Sequence, residues 1–229
     1  MYMINKDLYE DLQLTIYKNY SNICFDVSGG ADSAILLYFL VNYLDEYNNT
    51  ANIHLVTCAK RPTGYSNAMQ SVKVVNRIIE LTSTKLIKSH YTFYSDTQHR
   101  EDFVNLEEDW FDRGKIDISI TGTTQNPPYN TPNEPVIDRA IYRDKGNFNK
   151  TIHYSKNNRP VHAPFLKRDK KFIAKLYKDN NLHEILLPYT RSCESHDKDE
   201  TNNFTSHCGQ CWWCWERNWA FESEGIVAI

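Results

Sequence analysis

The sequence lacks the features that mark several protein classes. It has no long apolar run, because the longest, Ala34 to Val41, is far below the length that spans a bilayer. It has no positive excess either. Lys and Arg total 26 against 29 Asp and Glu, a net charge of −3, which gives no general attraction for a nucleic-acid backbone and leaves only a local basic patch open. Gly and Pro are scarce, 8 of each in 229 residues, which excludes collagen-like and low-complexity disordered chains. The first twenty residues are polar throughout, without the apolar centre of a secretory leader, so a soluble, cytoplasmic protein is expected. The length fits one large α/β domain, or a domain with a small appendage, and is ample for a sizeable core.

Cysteine is also sparse, yet 4 of the 6 fall between 193 and 214. In a reducing compartment such clustering favours metal over disulfides. Cys208, Cys211 and Cys214 are each separated by two residues, and Cys193 lies upstream. Four thiolates on tight turns are what a structural tetrahedral Zn²⁺ needs, with Gly209 permitting the turn between two ligands. A four-cysteine iron–sulfur cluster is the alternative, and His196 or His207 can stand in for one thiolate. A closed four-thiolate shell leaves no position for water, and its loading should couple to folding of the tail. Trp212, Trp213, Trp215 and Trp219 read as a small core around that knot, with a ligand platform as the alternative. Cys24 and Cys58 fall inside predicted strands and read as core residues.

Hydrophobic periodicity predicts helices over 6–20, 32–47, 67–81, 97–111, 169–180 and 212–222, the fourth exposed with a charged face. Strands are predicted over 21–27, 52–58, 85–91 and 117–121. This strand–helix alternation implies right-handed crossovers and a parallel sheet. Residues 123–160, with four Pro and few apolar residues before Val136, read as a long active-site loop or lid. A main domain over 1–189 and a cysteine unit over 190–229 are expected.

Between the first strand and second helix lies Ser28-Gly29-Gly30-Ala31-Asp32-Ser33. Glycines there tolerate positive φ and let the backbone approach a ligand. The N–H groups at a helix start, with the helix dipole, favour an anion. Ser28 and Ser33 add hydroxyl donors, and Asp32 beside phosphate makes most sense holding Mg²⁺. The plainer reading is a tight turn with Asp32 as N-cap. Neither the Walker A string nor the dinucleotide fingerprint is present.

The string resembles the PP-loop of the N-type ATP pyrophosphatases, Ser-Gly-Gly-x-Asp-Ser. Taken with the cysteines, the chain resembles 7-cyano-7-deazaguanine synthase, the PP-loop ligase family of queuosine biosynthesis. The further matches are Thr190, Ser192, Cys193, Cys208, Gly209, Cys211, Cys214 and Arg217, and then His162, Pro164, Asp169 and Lys170. The resemblance implies an approximately five-stranded, doubly wound parallel sheet of the adenine nucleotide alpha hydrolase-like type. It implies that Ser28–Ser33 clamp the β- and γ-phosphates of ATP, that Thr57, Cys58 and Ala59 lie near adenine, and that Gly122 admits the nucleotide. Lys170 would reach phosphate; as a residue on a helix it can equally be a solvated lysine. The activity implied is adenylation of a carboxyl or carbonyl oxygen followed by amide and nitrile formation, with Asp32 and Lys170 as catalytic residues.

Two stretches depart from that family. Ala59-Lys60-Arg61-Pro62-Thr63 replaces its Tyr-x-Gln-Arg-His, and residues 107–118 lack its Gly-Arg-Asn segment. A small-molecule acid is the expected substrate. A nucleic-acid or protein acceptor, a homodimer, and an ATP-binding sensor without turnover remain alternatives.

Overall fold

The structure, a computed structural model, describes residues 6–60, 64–95, 99–135, 143, 150–155, 157–193 and 206–228. Helix α1 covers Lys6–Asp11, but the helix predicted over 6–20 does not run on. Gln13 turns left-handed (φ 54°), and Leu14–Asn19 form a 3₁₀ segment. The reason is burial: Leu12, Leu14 and Tyr17 all face the core, and that spacing does not share one face of a continuous α-helix.

Strand β1 (Asn22–Asp26) leads through the glycine turn into α2 (Ala31–Glu46). Helix α2 is buried at every position from Ser33 to Leu44, as its apolar run requires. It packs against the later helices Gly64–Thr82 and Lys170–Asp179 and against the 3₁₀ segment. Then follow β2 (Asn52–Lys60), α3 (Gly64–Thr82), β3 (Ile87–Ser95), α4 (His99–Asp112) and β4 (Ile118–Ile120). Helix α4 is not simply an exposed, charged element. It buries Trp110 and Glu107, and Trp110 joins Cys24, Val56 and Ile116 in a small cluster on one face of the sheet. Ile23 and Phe25 point to the opposite face, into the main core with α2, α3 and the two C-terminal helices, as the two-residue strand period dictates.

The stretch 123–160 is not all loop. Strand β5 (Ile152–Tyr154) lies within it, and β6 (Pro160–His162) begins at its end. Three-residue strands are too short to show an alternating pattern. Residues 136–142, 144–149 and 156 of that stretch lie outside the described residues. The sheet therefore has six strands, in the order β3-β2-β1-β4-β6-β5. All pairs are parallel except β5 with β6. Helices α5 (Lys170–Asp179) and α6 (Trp212–Glu222) complete the chain and pack on each other.

Strand order reverses between β1 and β4, since the chain builds outward to β3 and then returns beside β1. In open parallel sheets the crevice at the carboxyl ends of such neighbouring strands is where ligands bind. The glycine turn and Gly122 both lie there.

Candidate functional site

The turn after β1 is built from its own atoms. Val27 N–H donates to the Val56 carbonyl, 2.9 Å. Ser28 N–H donates to Ser33 Oγ (3.3 Å), the two serine hydroxyls lie 3.2 Å apart, and Gly30 N–H donates to Ser28 Oγ (3.3 Å). Ser28 is exposed at the mouth, whereas Gly29, Ala31 and Ser33 are buried. Gly29 has φ +83°, and a Cβ there would meet the backbone of α3, 2.9 Å from Ser71 N. Its missing side chain thus serves both the turn and the seating of the loop on α3. Gly30, not Asp32, is the N-cap of α2, and no side chain caps this helix. The first-turn N–H groups are therefore left to a ligand or water.

Gly122, at the end of β4, presses on the same turn. A Cβ there would lie 3.0 Å from Ser33 N and 3.2 Å from the Asp32 carbonyl carbon, which gives this glycine a packing role against α2. Thr57, fully buried, donates to the Val27 carbonyl (2.7 Å) and lies 2.7 Å from His90 Nε2. Because the Thr57 hydroxyl spends its proton on Val27, His90 must donate at Nε2. Cys58 is half-buried, not the core residue expected, whereas Cys24 is fully buried and Ala59 lies in the sheet core.

Lys170 is no solvated lysine. Asp169 caps α5 by accepting from Lys171 N and Phe172 N, and this aims Lys170 inward, where it is 3% exposed. Its ammonium lies 2.8 Å from Asp32 Oδ2 and 3.3 Å from Glu216 Oε2. Burial pulls its pKa down, but Asp32 and Glu216 outweigh that, and the net shift is upward. Glu216 on α6 is completely buried and also holds Arg143, at 2.9 and 3.2 Å. Arg143 donates as well to Thr124 Oγ1, 2.9 Å, and its guanidinium sits about 5 Å from the ring centres of Trp212 and Trp213. Two carboxylates and two cations thus close a buried, charge-balanced chain behind the loop. The other Asp32 oxygen, Oδ1, is buried without a hydrogen-bond partner among the described residues. An orphaned carboxylate oxygen beside an uncapped helix start fits a hard cation such as Mg²⁺. Glu216 and Arg143 are not legible as site residues, because nothing in Cys214-Trp215-Glu216-Arg217 or in Tyr142-Arg143-Asp144-Lys145 distinguishes an inward charge from a solvated one.

The four cysteines meet. The sulfurs of Cys193, Cys208, Cys211 and Cys214 lie within 4.8 Å of one another. Cys208 and Cys214 are 3.9 Å apart, and Cys211 and Cys193 4.0 Å, close to the roughly 3.8 Å edge of a tetrahedron with Zn–S bonds near 2.3 Å. Gly209 takes φ +73°. The turn it makes aims the Gln210 and Cys211 N–H groups at Cys208 Sγ, 3.4 and 3.3 Å. His207 Nε2 accepts from Ser192 N–H instead of joining the cluster, and His196 lies outside the described residues. Arg217 is buried and donates to the Ala228 and Leu187 carbonyls and to Thr190 and Ser192. Trp212 is buried beside the cluster, whereas Trp213, Trp215 and Trp219 are half-buried.

A Ser-Gly-Gly-x-Asp-Ser turn thus lies at the switch point of a mostly parallel sheet, with a buried lysine on its aspartate. Residues 145–225 match the family model described as "Queuosine biosynthesis protein QueC". Over that segment, which contains Lys170, Glu216 and all four clustered cysteines, the chain is QueC-like. Two solved structures align along nearly its whole length. NMN synthetase from Francisella tularensis shares 10% identity, covering 97% of this chain and 95% of its own, with a TM-score of 0.45. The NH3-dependent NAD synthetase from Campylobacter jejuni subsp. jejuni, in complex with nitrate, shares 12% identity, covering 97% and 96%, also at 0.45. No curated protein matches the chain. Among the described residues, no helix is long and apolar enough to cross a membrane.

Proposed function

We propose that this protein is an ATP-dependent C–N ligase that forms AMP and pyrophosphate and resembles 7-cyano-7-deazaguanine synthase. The observation that carries this reading is the Lys170–Asp32 pair behind the glycine turn, 2.8 Å apart, with Asp32 Oδ1 left unpartnered among the described residues. Ser28–Ser33 bind the β- and γ-phosphates through the uncapped start of α2, and Thr57, Cys58 and Ala59 border adenine. Asp32 would hold Mg²⁺, which would supply neutralisation of phosphate charge. A carboxylate oxygen of the substrate attacks the α-phosphorus, the bond to pyrophosphate breaks, and a nitrogen nucleophile then displaces AMP from the acyl carbon. With 7-carboxy-7-deazaguanine and ammonia the product is an amide, which a second ATP converts to the nitrile. Lys170, paired with Asp32 behind the turn, compensates the charge that accumulates on the leaving pyrophosphate. No covalent nucleophile on the protein is needed, so catalysis rests on positioning and charge. The four cysteines hold a structural Zn²⁺ within the 190–229 unit.

The test is mass-spectrometric detection of AMP and pyrophosphate against a panel of acids that includes 7-carboxy-7-deazaguanine with ammonia. Turnover with that acid alone is expected. Turnover only with an RNA or protein acceptor would replace the small-molecule reading. No AMP with any acceptor would leave a nucleotide sensor.

A further inference from the structure

The cysteine cluster is tied to the glycine turn at both of its ends. Two residues before Cys193, the Arg191 N–H donates to the Gly29 carbonyl, 2.9 Å. Two residues after Cys214, Glu216 receives the Lys170 ammonium at 3.3 Å, and that ammonium also holds Asp32. Cys211 is the N-cap of α6, and Cys214 lies in its first turn. A metal held by these cysteines would therefore fix where this helix begins, and with it the depth at which Glu216 meets Lys170. A structural metal alone does not require this arrangement. Apolar residues at 143, 170 and 216 together would fill the same space without burying charge, and replacing a buried ion network as a whole by apolar residues is often neutral for stability.

We propose that Glu216 is a positioning residue that couples the cysteine cluster to the glycine turn, holding the Lys170 ammonium against Asp32 from the helix that carries two of the four cysteines. This rests on the reading of the turn as an ATP site. Its substance is a coupling free energy between two distinct sites, and such coupling is reciprocal: if the metal orders the lysine that ATP uses, bound ATP must tighten the metal site by the same factor. Four charges share this interior and balance one another, so the chain has little room to rearrange around a lost partner. Neutralising Glu216 leaves Lys170 held by Asp32 alone and Arg143 held by Thr124, and the α6 end of the link is cut. The Arg191–Gly29 tie remains, and residual coupling should persist through it.

The experiment follows zinc release from zinc-loaded protein to 4-(2-pyridylazo)resorcinol, with and without α,β-methylene-ATP and excess Mg²⁺, in the wild type and in Glu216→Gln. Thermal shifts are recorded in parallel to report nucleotide binding itself. In the wild type the analogue should raise the melting temperature and slow zinc release about tenfold, within the usual range of coupling between sites. In Glu216→Gln the shift should persist while the slowing falls at least threefold. General stabilisation by ligand would protect zinc equally in both proteins, and that result overturns the coupling while leaving the ATP reading intact. A thermal shift with no slowing in the wild type overturns it as well. No thermal shift in the wild type would remove the ATP reading, and the coupling with it. If Glu216→Gln does not fold, Glu216→Asp, which keeps the charge but withdraws it by one methylene, takes its place with the same expectation.

Discussion

Glu107 shows how a single residue can carry a pH dependence that no motif announces. It sits on α4 beneath the sheet, 8% exposed, and accepts from both Ser119 Oγ and Cys24 Sγ at one oxygen. Burial, aided by nearby Asp26 and Glu108 and opposed by the Ser119 bond, pushes its pKa up to about 8. The folded state thus binds a proton that the unfolded state has released once pH exceeds the usual carboxyl value. Stability conferred by this group is fully present below about pH 4.5 and is lost as pH rises toward 8. Glu107→Gln mimics the protonated form and keeps the acceptor oxygen. It should be close to neutral at pH 5 and stabilising by a few kcal/mol at pH 8.5, as read from urea midpoints across pH. Midpoints of the two proteins that stay parallel from pH 5 to 8.5 would show that Glu107 is ionised in the fold. The sequence around it, Asn-Leu-Glu-Glu-Asp-Trp, reads as a solvated acidic face. Helical periodicity finds apolar stripes, and it cannot tell which charge within a stripe is buried. Glu216 escaped notice for the same reason, whereas Asp32 was legible because its loop has a recognisable pattern.

At the scale of elements, legibility followed length. Helix α2 was predicted to within a residue at each end because its apolar run follows a strand and a glycine turn, where a buried helix on the sheet is expected. Helix α6 was predicted to the residue, and α5 differed only by its capping residues. The elements missed were β5 and β6, three residues each in a polar stretch; β4, equally short, was legible because it is buried at every position; and the break at Gln13 answers to tertiary burial, not to local propensity. Helix α5 makes the sharpest functional claim, because its first residue delivers Lys170 to Asp32. Lys170→Met keeps the side chain's length and apolar stem but removes the charge. Pyrophosphate release should fall by about two orders of magnitude, the usual cost of a lost charge-stabilising group. Two buried carboxylates would be left facing each other's field, so stability should also fall, by about 3 kcal/mol. Steady-state pyrophosphate assays beside thermal melts check both. Full activity in this variant would mean that the lysine serves the fold alone.

The whole molecule is one sheet with a metal-ready corner. The main core runs from β1 through α2 and α5 to Ala220 and Phe221 of α6, so the corner is sewn to the sheet by apolar contact as well as by the Lys170 ion pairs. Its near end is different. The start of α6 has no side-chain cap, and the loop that delivers Cys208 and Cys211 is organised by N–H groups aimed at sulfur. Without a metal, four thiols must share a pocket that suits thiolates, and their mutual attraction to a cation is gone. Metal removal should therefore act in a gradient. Amides of 208–214 should lose hydrogen-exchange protection by orders of magnitude, those around Phe221 should lose less, and those of β1 and β4 should keep theirs, while the melting temperature falls by several degrees. Exchange mass spectrometry before and after chelation resolves these segments. Uniform loss across the sheet would mean that the metal holds the entire fold. Unchanged protection at 208–214 would mean that the sulfurs pack there without needing an ion.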